Sequence, residues 1–99
     1  MSSFHMKAVG VTFGNRQRVI SKLSVGQRLK FVLEPENKFD KFAIQIMTLS
    51  NEPVGYVSKD YNKDLFERIS HGQHYNLTVS AITGGGFDSA YGVNILVEY

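Results

Sequence analysis

Phe39 and Asp40 stand side by side in a polar stretch, with Lys38 before them and Lys41 after. An aromatic ring in a loop can stack on a nucleobase, lysines can meet phosphates, and a carboxylate can accept a hydrogen bond from a hydroxyl. Phosphate repels a carboxylate, so Asp40 in a nucleic-acid site suits a sugar hydroxyl at a strand end. Each residue also has a plain structural use. A lone Phe can close the end of a core, and an Asp can brace a turn. The set carries more weight than any single member.

Other chemistry is thin. His71 and His74 are three residues apart, but Gly72 between them breaks the helical face they would share. A third ligand would have to come from His5 or a distant carboxylate, so two surface histidines are the plainer reading and no metal is expected. Gly84-Gly85-Gly86 lacks the Lys-Ser/Thr of a phosphate cradle, and a strand-like run follows it, so it reads as a hairpin loop. No serine sits in a nucleophile-elbow pattern, and the absence of cysteine excludes a thiol nucleophile and a cysteine zinc site. Neither an enzyme nor a cofactor is expected. A metal-dependent nuclease using His71, His74 and loop acids is the remotest alternative.

Composition bounds the frame that must position these groups. The chain has 99 residues, 42% hydrophobic and 20% charged, which suits one globular domain over 1–99. No apolar run approaches the roughly 18–20 residues of a membrane span, and the first residues do not form a secretory signal. A cytoplasmic location, nucleoid-associated at most, is therefore expected. The net charge of +2 hides an asymmetry. The first 31 residues hold Lys7, Arg16, Arg18, Lys22, Arg28 and Lys30 and no acid, whereas the rest hold five basic and nine acidic residues. Such a basic third can face phosphates; it can also be a solvated surface whose acidic partners lie nearby in the fold.

Periodicity supplies the elements. Met6 to Phe13 reads as a strand, and Gly14-Asn15-Arg16 as a turn. Arg18 to Leu23 is a helical turn or a strand. Arg28 to Leu33 alternates, with Leu29, Phe31 and Leu33 on one face. Phe42 to Leu49 and Val54 to Val57 read as a hairpin. A helix capped by Ser58 follows, with Tyr61, Leu65 and Ile69 at fourfold spacing and Phe66 widening the stripe. Lys63–Glu67 and Asp64–Arg68 are opposite-charge pairs along it, and His71-Gly72 closes it. Tyr75 to Thr83 and Tyr91 to Tyr99 are the last strands. Six strands and one main helix predict a mainly β fold, a small closed antiparallel barrel.

Three runs then carry a family resemblance: Ala8-Val9-Gly10-Val11-Thr12-Phe13, the stretch Glu34-Pro35-Glu36-Asn37-x-Phe39-Asp40-x-x-Ala43-Ile44, and Pro53-Val54-Gly55-Tyr56-Val57-Ser58-Lys59. Over about residues 6–97 the chain resembles the HIRAN domain. That domain is found at the N-terminus of fork-remodelling ATPases of the SWI2/SNF2 type and as a stand-alone bacterial protein. The resemblance implies an OB-like barrel that binds single-stranded DNA at a free 3′ end.

By position, the resemblance makes Phe13 and Phe39 base-stacking aromatics and Asp40 the acceptor of the 3′-hydroxyl. Asn37 becomes a nearby polar contact, Tyr56 stands where eukaryotic relatives have histidine, Lys59 meets a phosphate, and Tyr91 is a rim aromatic. Tyr56 and Lys59 have equally plain uses, in hairpin packing and at a helix start. The chain departs from the pattern at Thr12, where an arginine is expected, and at Phe13 and Phe39, where tyrosines are expected. Arg16 or Arg18, in the same basic stretch, are candidates to replace the missing phosphate contact.

The expected function is thus a non-catalytic module for single-stranded DNA 3′ ends in repair or fork processing, working with a helicase, ATPase or nuclease in trans. Its rival is a protein-interaction module that has kept the barrel and lost the DNA.

Overall fold

The computed structural model describes residues 2–99, which form six strands and two helices. In chain order these are β1 (Ser3–Lys7), α1 (Arg16–Ser21), β2 (Arg28–Leu33), β3 (Ile44–Thr48), β4 (Pro53–Tyr56), α2 (Asn62–Ser70), β5 (Asn76–Thr83) and β6 (Gly92–Glu98). All strands join one sheet, ordered β1-β6-β5-β2-β3-β4, and every pairing is antiparallel. The sheet curls through half a barrel. Its inner face holds Ile44, Ile46, Val54, Leu77, Val79, Val93, Ile95 and Val97, all fully buried, with Ile20 from α1 among them. Each such side chain gains about 1.5–3 kcal/mol on leaving water, so the alternating apolar positions decide which face turns inward.

The first strand is shorter than the reading of Met6 to Phe13. It ends at Lys7, and the chain crosses to the far edge of the sheet. There Val9 exchanges two backbone hydrogen bonds with Tyr56, at 2.9 and 2.8 Å. This single bridge ties the β1 end of the sheet to β4. It needs a bare backbone opposite: a Cβ at Gly55 would sit 2.7 Å from the Val9 carbonyl oxygen. Beyond Val9 the strand cannot continue, because Gly10 adopts φ +66 and turns the chain. The loop that follows carries Phe13 and leads into α1. The ambiguous segment around Arg18 is therefore helical, with Val19 and Ile20 buried against β4.

The main helix starts later than expected. Ser58 does not cap it; its hydroxyl accepts the Asp60 N–H at 3.2 Å, in the turn before the helix. The N-cap position falls to Tyr61, which makes no side-chain capping bond. Leu65 is buried, and Phe66 and Ile69 are half-buried, as the stripe predicts. Of the two charge pairs, Asp64–Arg68 forms at 3.0 Å. Lys63 turns instead to the face of Phe42, 5.5 Å from the ring centre. Gly72 (φ +98) closes the helix in the left-handed conformation. No helix among the described residues is long and apolar enough to cross a membrane.

Candidate nucleic-acid interface

Two loops, one after β1 and one between β2 and β3, meet beside the Val9–Tyr56 bridge. Together with β4 and the start of α2 they form a groove of about 620 Å³, within the usual range for ligand clefts. Phe13, Asn37, Phe39, Asp40, Tyr56 and Lys59 all line it, joined by Arg16. Tyr91 and Arg18 do not. Tyr91 is half-buried under the 84–90 loop, where a Cβ on Gly85 would run into its ring. Its backbone is tied to the Gln17 side chain at 2.7 and 3.0 Å. Arg18 is exposed on α1. The basic third does not gather into one patch either, since Arg28 and Lys30 turn to Asn76 and Asn51.

The β2–β3 loop is built around Asn37. Its Oδ1 accepts the backbone N–H groups of Phe39 and Asp40 at 2.9 and 3.0 Å, and its Nδ2 donates to Glu34 at 3.1 Å. The amide is thus spent on shaping the loop, as Asn commonly is at turns. The turn expels Phe39, whose ring is 93% exposed. Phe13, across the groove, is 67% exposed. Phe87, in the 84–90 loop outside the groove, is as exposed, at 97%; what sets Phe13 and Phe39 apart is that both line one groove.

Asp40 lines the same groove. Its Oδ1 accepts the Phe42 N–H at 2.9 Å, and this contact delays the start of β3 to Ile44. Its Oδ2 accepts the Asn62 amide at 2.8 Å. The Phe42 N–H first, then Asn62 and more weakly the Lys59 charge hold the carboxyl below its ordinary range, against partial desolvation. Each oxygen keeps a lone pair to spare, so Asp40 is an ionised acceptor with unused capacity.

Tyr56 forms the floor. Its hydroxyl donates to Glu34 Oε1 at 2.8 Å, while Glu34 Oε2 accepts from Gln45 at 2.7 Å. Burial, then the Glu34 carboxylate, push the phenol above its ordinary range, so it remains a donor near neutrality. The Arg16 guanidinium lies over the Tyr56 ring, 4.9 Å from its centre, and donates to the Gly10 carbonyl at 3.0 Å. Its Nε is the one buried side-chain polar atom without a partner among the described residues. Arg16, not Arg18, therefore brings positive charge to the groove, and Lys59 brings it from the other side. Asn62 lies outside the motif runs, and Glu34 has no assigned role within them; the Asn62–Asp40 and Tyr56–Glu34 bonds each span 22 residues, and no local pattern marks such a pairing.

A second cleft of about 430 Å³ lies between α2 and the β1 edge, lined by Phe4, Tyr61, Tyr75 and Tyr99 with the Asp64–Arg68 pair. None of the motif residues reaches it. His71 and His74 lie elsewhere again, exposed, with His71 Nδ1 2.7 Å from the Glu67 carbonyl oxygen.

The HIRAN domain family model matches residues 1–94. The chain belongs to the HIRAN domain family. The fold agrees with solved structures of low sequence identity. The crystal structure of the HIRAN domain of human HLTF superimposes with a TM-score of 0.78 at 16% identity, covering 97% of this chain and 73% of that one. A structural-genomics protein from Lactobacillus plantarum gives 0.71 at 19% identity, covering 99% and 98%. No curated protein matches the chain. HIRAN domains are DNA-binding modules rather than catalysts. This HIRAN domain keeps the curled six-stranded sheet and main helix of the OB-like fold.

Proposed function

We propose that this HIRAN domain binds the free 3′ end of single-stranded DNA and performs no chemistry on it. The reading places the end in the groove, with Phe13 and Phe39 stacking on the last bases and Asp40 accepting the terminal hydroxyl. Lys59 and Arg16 neutralise the phosphate one step in. Asn37 and Tyr56 act as the loop brace and floor that hold these groups, and Tyr91 supports the neighbouring loop.

The observation that carries the reading is an ionised carboxylate with unused acceptor capacity that lines one groove with two exposed phenylalanines. An internal nucleotide offers phosphates on both sides, which a carboxylate repels. A 3′ end offers a hydroxyl donor with a phosphate on one side only. The domain would then act as an end sensor in repair or fork processing, for a helicase, ATPase or nuclease supplied in trans.

The test is fluorescence anisotropy with one short labelled strand ending in either a 3′-hydroxyl or a 3′-phosphate. A charge-assisted hydrogen bond contributes about 1.5–3 kcal/mol, so a preference of about tenfold or more for the hydroxyl is expected. It should disappear in Asp40→Ala. Equal binding of both strands would refute end recognition, and no binding at low salt would leave the groove to a protein partner.

A further inference from the structure

We propose that Asn62 is the positioning residue that aims the Asp40 carboxylate into the groove as a hydrogen-bond acceptor, and so makes the site select a hydroxyl over a phosphate. The second half of this statement rests on the reading above; the first half does not.

Asn62 is the first residue of α2 and only 5% exposed. Asparagine near a helix start ordinarily serves the helix itself, accepting one of its free N–H groups. Here the N-terminus of α2 has no side-chain cap. The Asn62 amide instead reaches a carboxylate in another loop, at 2.8 Å from Asp40 Oδ2. A buried polar side chain needs a partner, and the one this residue has found lies in the candidate site.

The geometry around Asp40 is one-sided. Oδ1 faces the Phe42 N–H and Oδ2 faces the Asn62 NH₂ group, both donors. Protonation would occupy one of the lone pairs these two bonds leave free, and so remove acceptor capacity on the groove side. The charged group acting on it is Lys59, in the turn leading into α2. Lys38 and Lys41 flank the loop and are exposed. After the Phe42 N–H, the strongest influence, the first residue of α2 supplies the amide and the turn before it the cation that keep Asp40 ionised and fixed in rotamer. An acceptor-only carboxylate cannot donate to a phosphate oxygen, but it can accept a hydrogen bond from a hydroxyl on its free lone pairs. The Phe42 N–H is backbone and present whatever the residue, so Asn62 is the side chain through which this selectivity is set.

The test uses the full chain and two readouts. The first is the Asp40 titration by carboxyl ¹³C NMR in the DNA-free protein. In Asn62→Ala the Asp40 midpoint should rise toward the ordinary carboxylate range. In the near-isosteric Asn62→Asp it should rise above that range, because two carboxylates then share one site. The second is the ratio of affinities for the 3′-hydroxyl and 3′-phosphate strands at pH 7. It should fall at least about fivefold in Asn62→Ala and further in Asn62→Asp, while affinity for the 3′-phosphate strand changes less than about twofold in Asn62→Ala. A merely structural role would lower the melting temperature and weaken both strands alike, leaving Asp40 where it was. An unchanged Asp40 midpoint in folded Asn62→Ala overturns the proposal. If Asn62→Asp fails to fold, Asn62→Ala and Asn62→Ser still decide it. If the unaltered protein shows no hydroxyl preference, the end-binding reading falls, while the Asp40 titration still judges the role of Asn62.

Discussion

Replacing Phe39 with alanine separates binding from folding more cleanly than any other change. The ring is 93% exposed. Less than a tenth of a phenylalanine's ~200 Å² is therefore removed from water, worth under about 0.5 kcal/mol at ~25 cal/mol/Å². The backbone N–H that Asn37 holds at 2.9 Å survives in alanine. The melting temperature should accordingly move by no more than about 2–4 °C. Binding should respond very differently. Stacking on an aromatic is worth about 1–3 kcal/mol per base, which corresponds to a loss of about 5- to 150-fold in affinity. Anisotropy titration of a short single strand, paired with a thermal melt of the same sample, reads both numbers. Affinity unchanged in a folded Phe39→Ala protein would refute the stacking role and, with it, the reason for an exposed ring at this position.

Arg16→Gln should weaken single-strand binding and shallow the slope of log affinity against log salt by about 0.7, whereas Arg18→Gln should leave both unchanged; equal effects from the two would show that position in the groove is irrelevant. Gly55→Ala should destabilise the fold by about 1–3 kcal/mol in urea, because the added methyl meets the Val9 carbonyl at 2.7 Å and parts the bridge to Tyr56. Asp40 has its pKa depressed in the folded protein, so the stability it adds is present above the unfolded value of about 3.9 and is lost as pH falls through the folded value. Affinity for the 3′-hydroxyl strand, whose end carries no phosphate monoester to titrate near pH 6, should therefore stay level from about pH 8 to pH 5 and fall only below the ordinary carboxylate range; a fall near pH 6 would contradict Asp40 as the titrating acceptor.

Alternation and helical spacing made most of the frame legible. Leu29, Phe31 and Leu33 mark one face of β2, Ile44 and Ile46 mark the core face of β3, and Leu65 with Phe66 and Ile69 marks the packed side of α2. These patterns are local and repeat along the chain, which is why they survive into the fold. What escaped was set by partners far away in sequence. The strand after β1 looks continuous to Phe13, yet only Val9 finds an opposite backbone, and Gly10 turns the chain before another can. Six residues of α1 carry too little periodicity to tell a helix from a strand. Within the site, the residue types at 37, 39, 40, 56 and 59 are visible in the motif, but their division of labour is not. That Asn37 is consumed by its own loop, that Tyr56 lies beneath Arg16, and that Asn62 serves Asp40 rather than its own helix all depend on side chains brought together from separate elements.

The most direct measurement is an NMR titration of ¹⁵N-labelled protein with a short single strand, run once with a 3′-hydroxyl and once with a 3′-phosphate. With the hydroxyl strand, the largest shifts should fall on the Phe39, Asp40 and Phe42 amides and on the Asn62 side-chain NH₂ group. The phosphate strand should leave the Phe42 and Asn62 signals nearly in place. Identical shifts from both strands, or shifts centred on the cleft of Phe4, Tyr61, Tyr75 and Tyr99, would contradict capture of a 3′ end at Asp40.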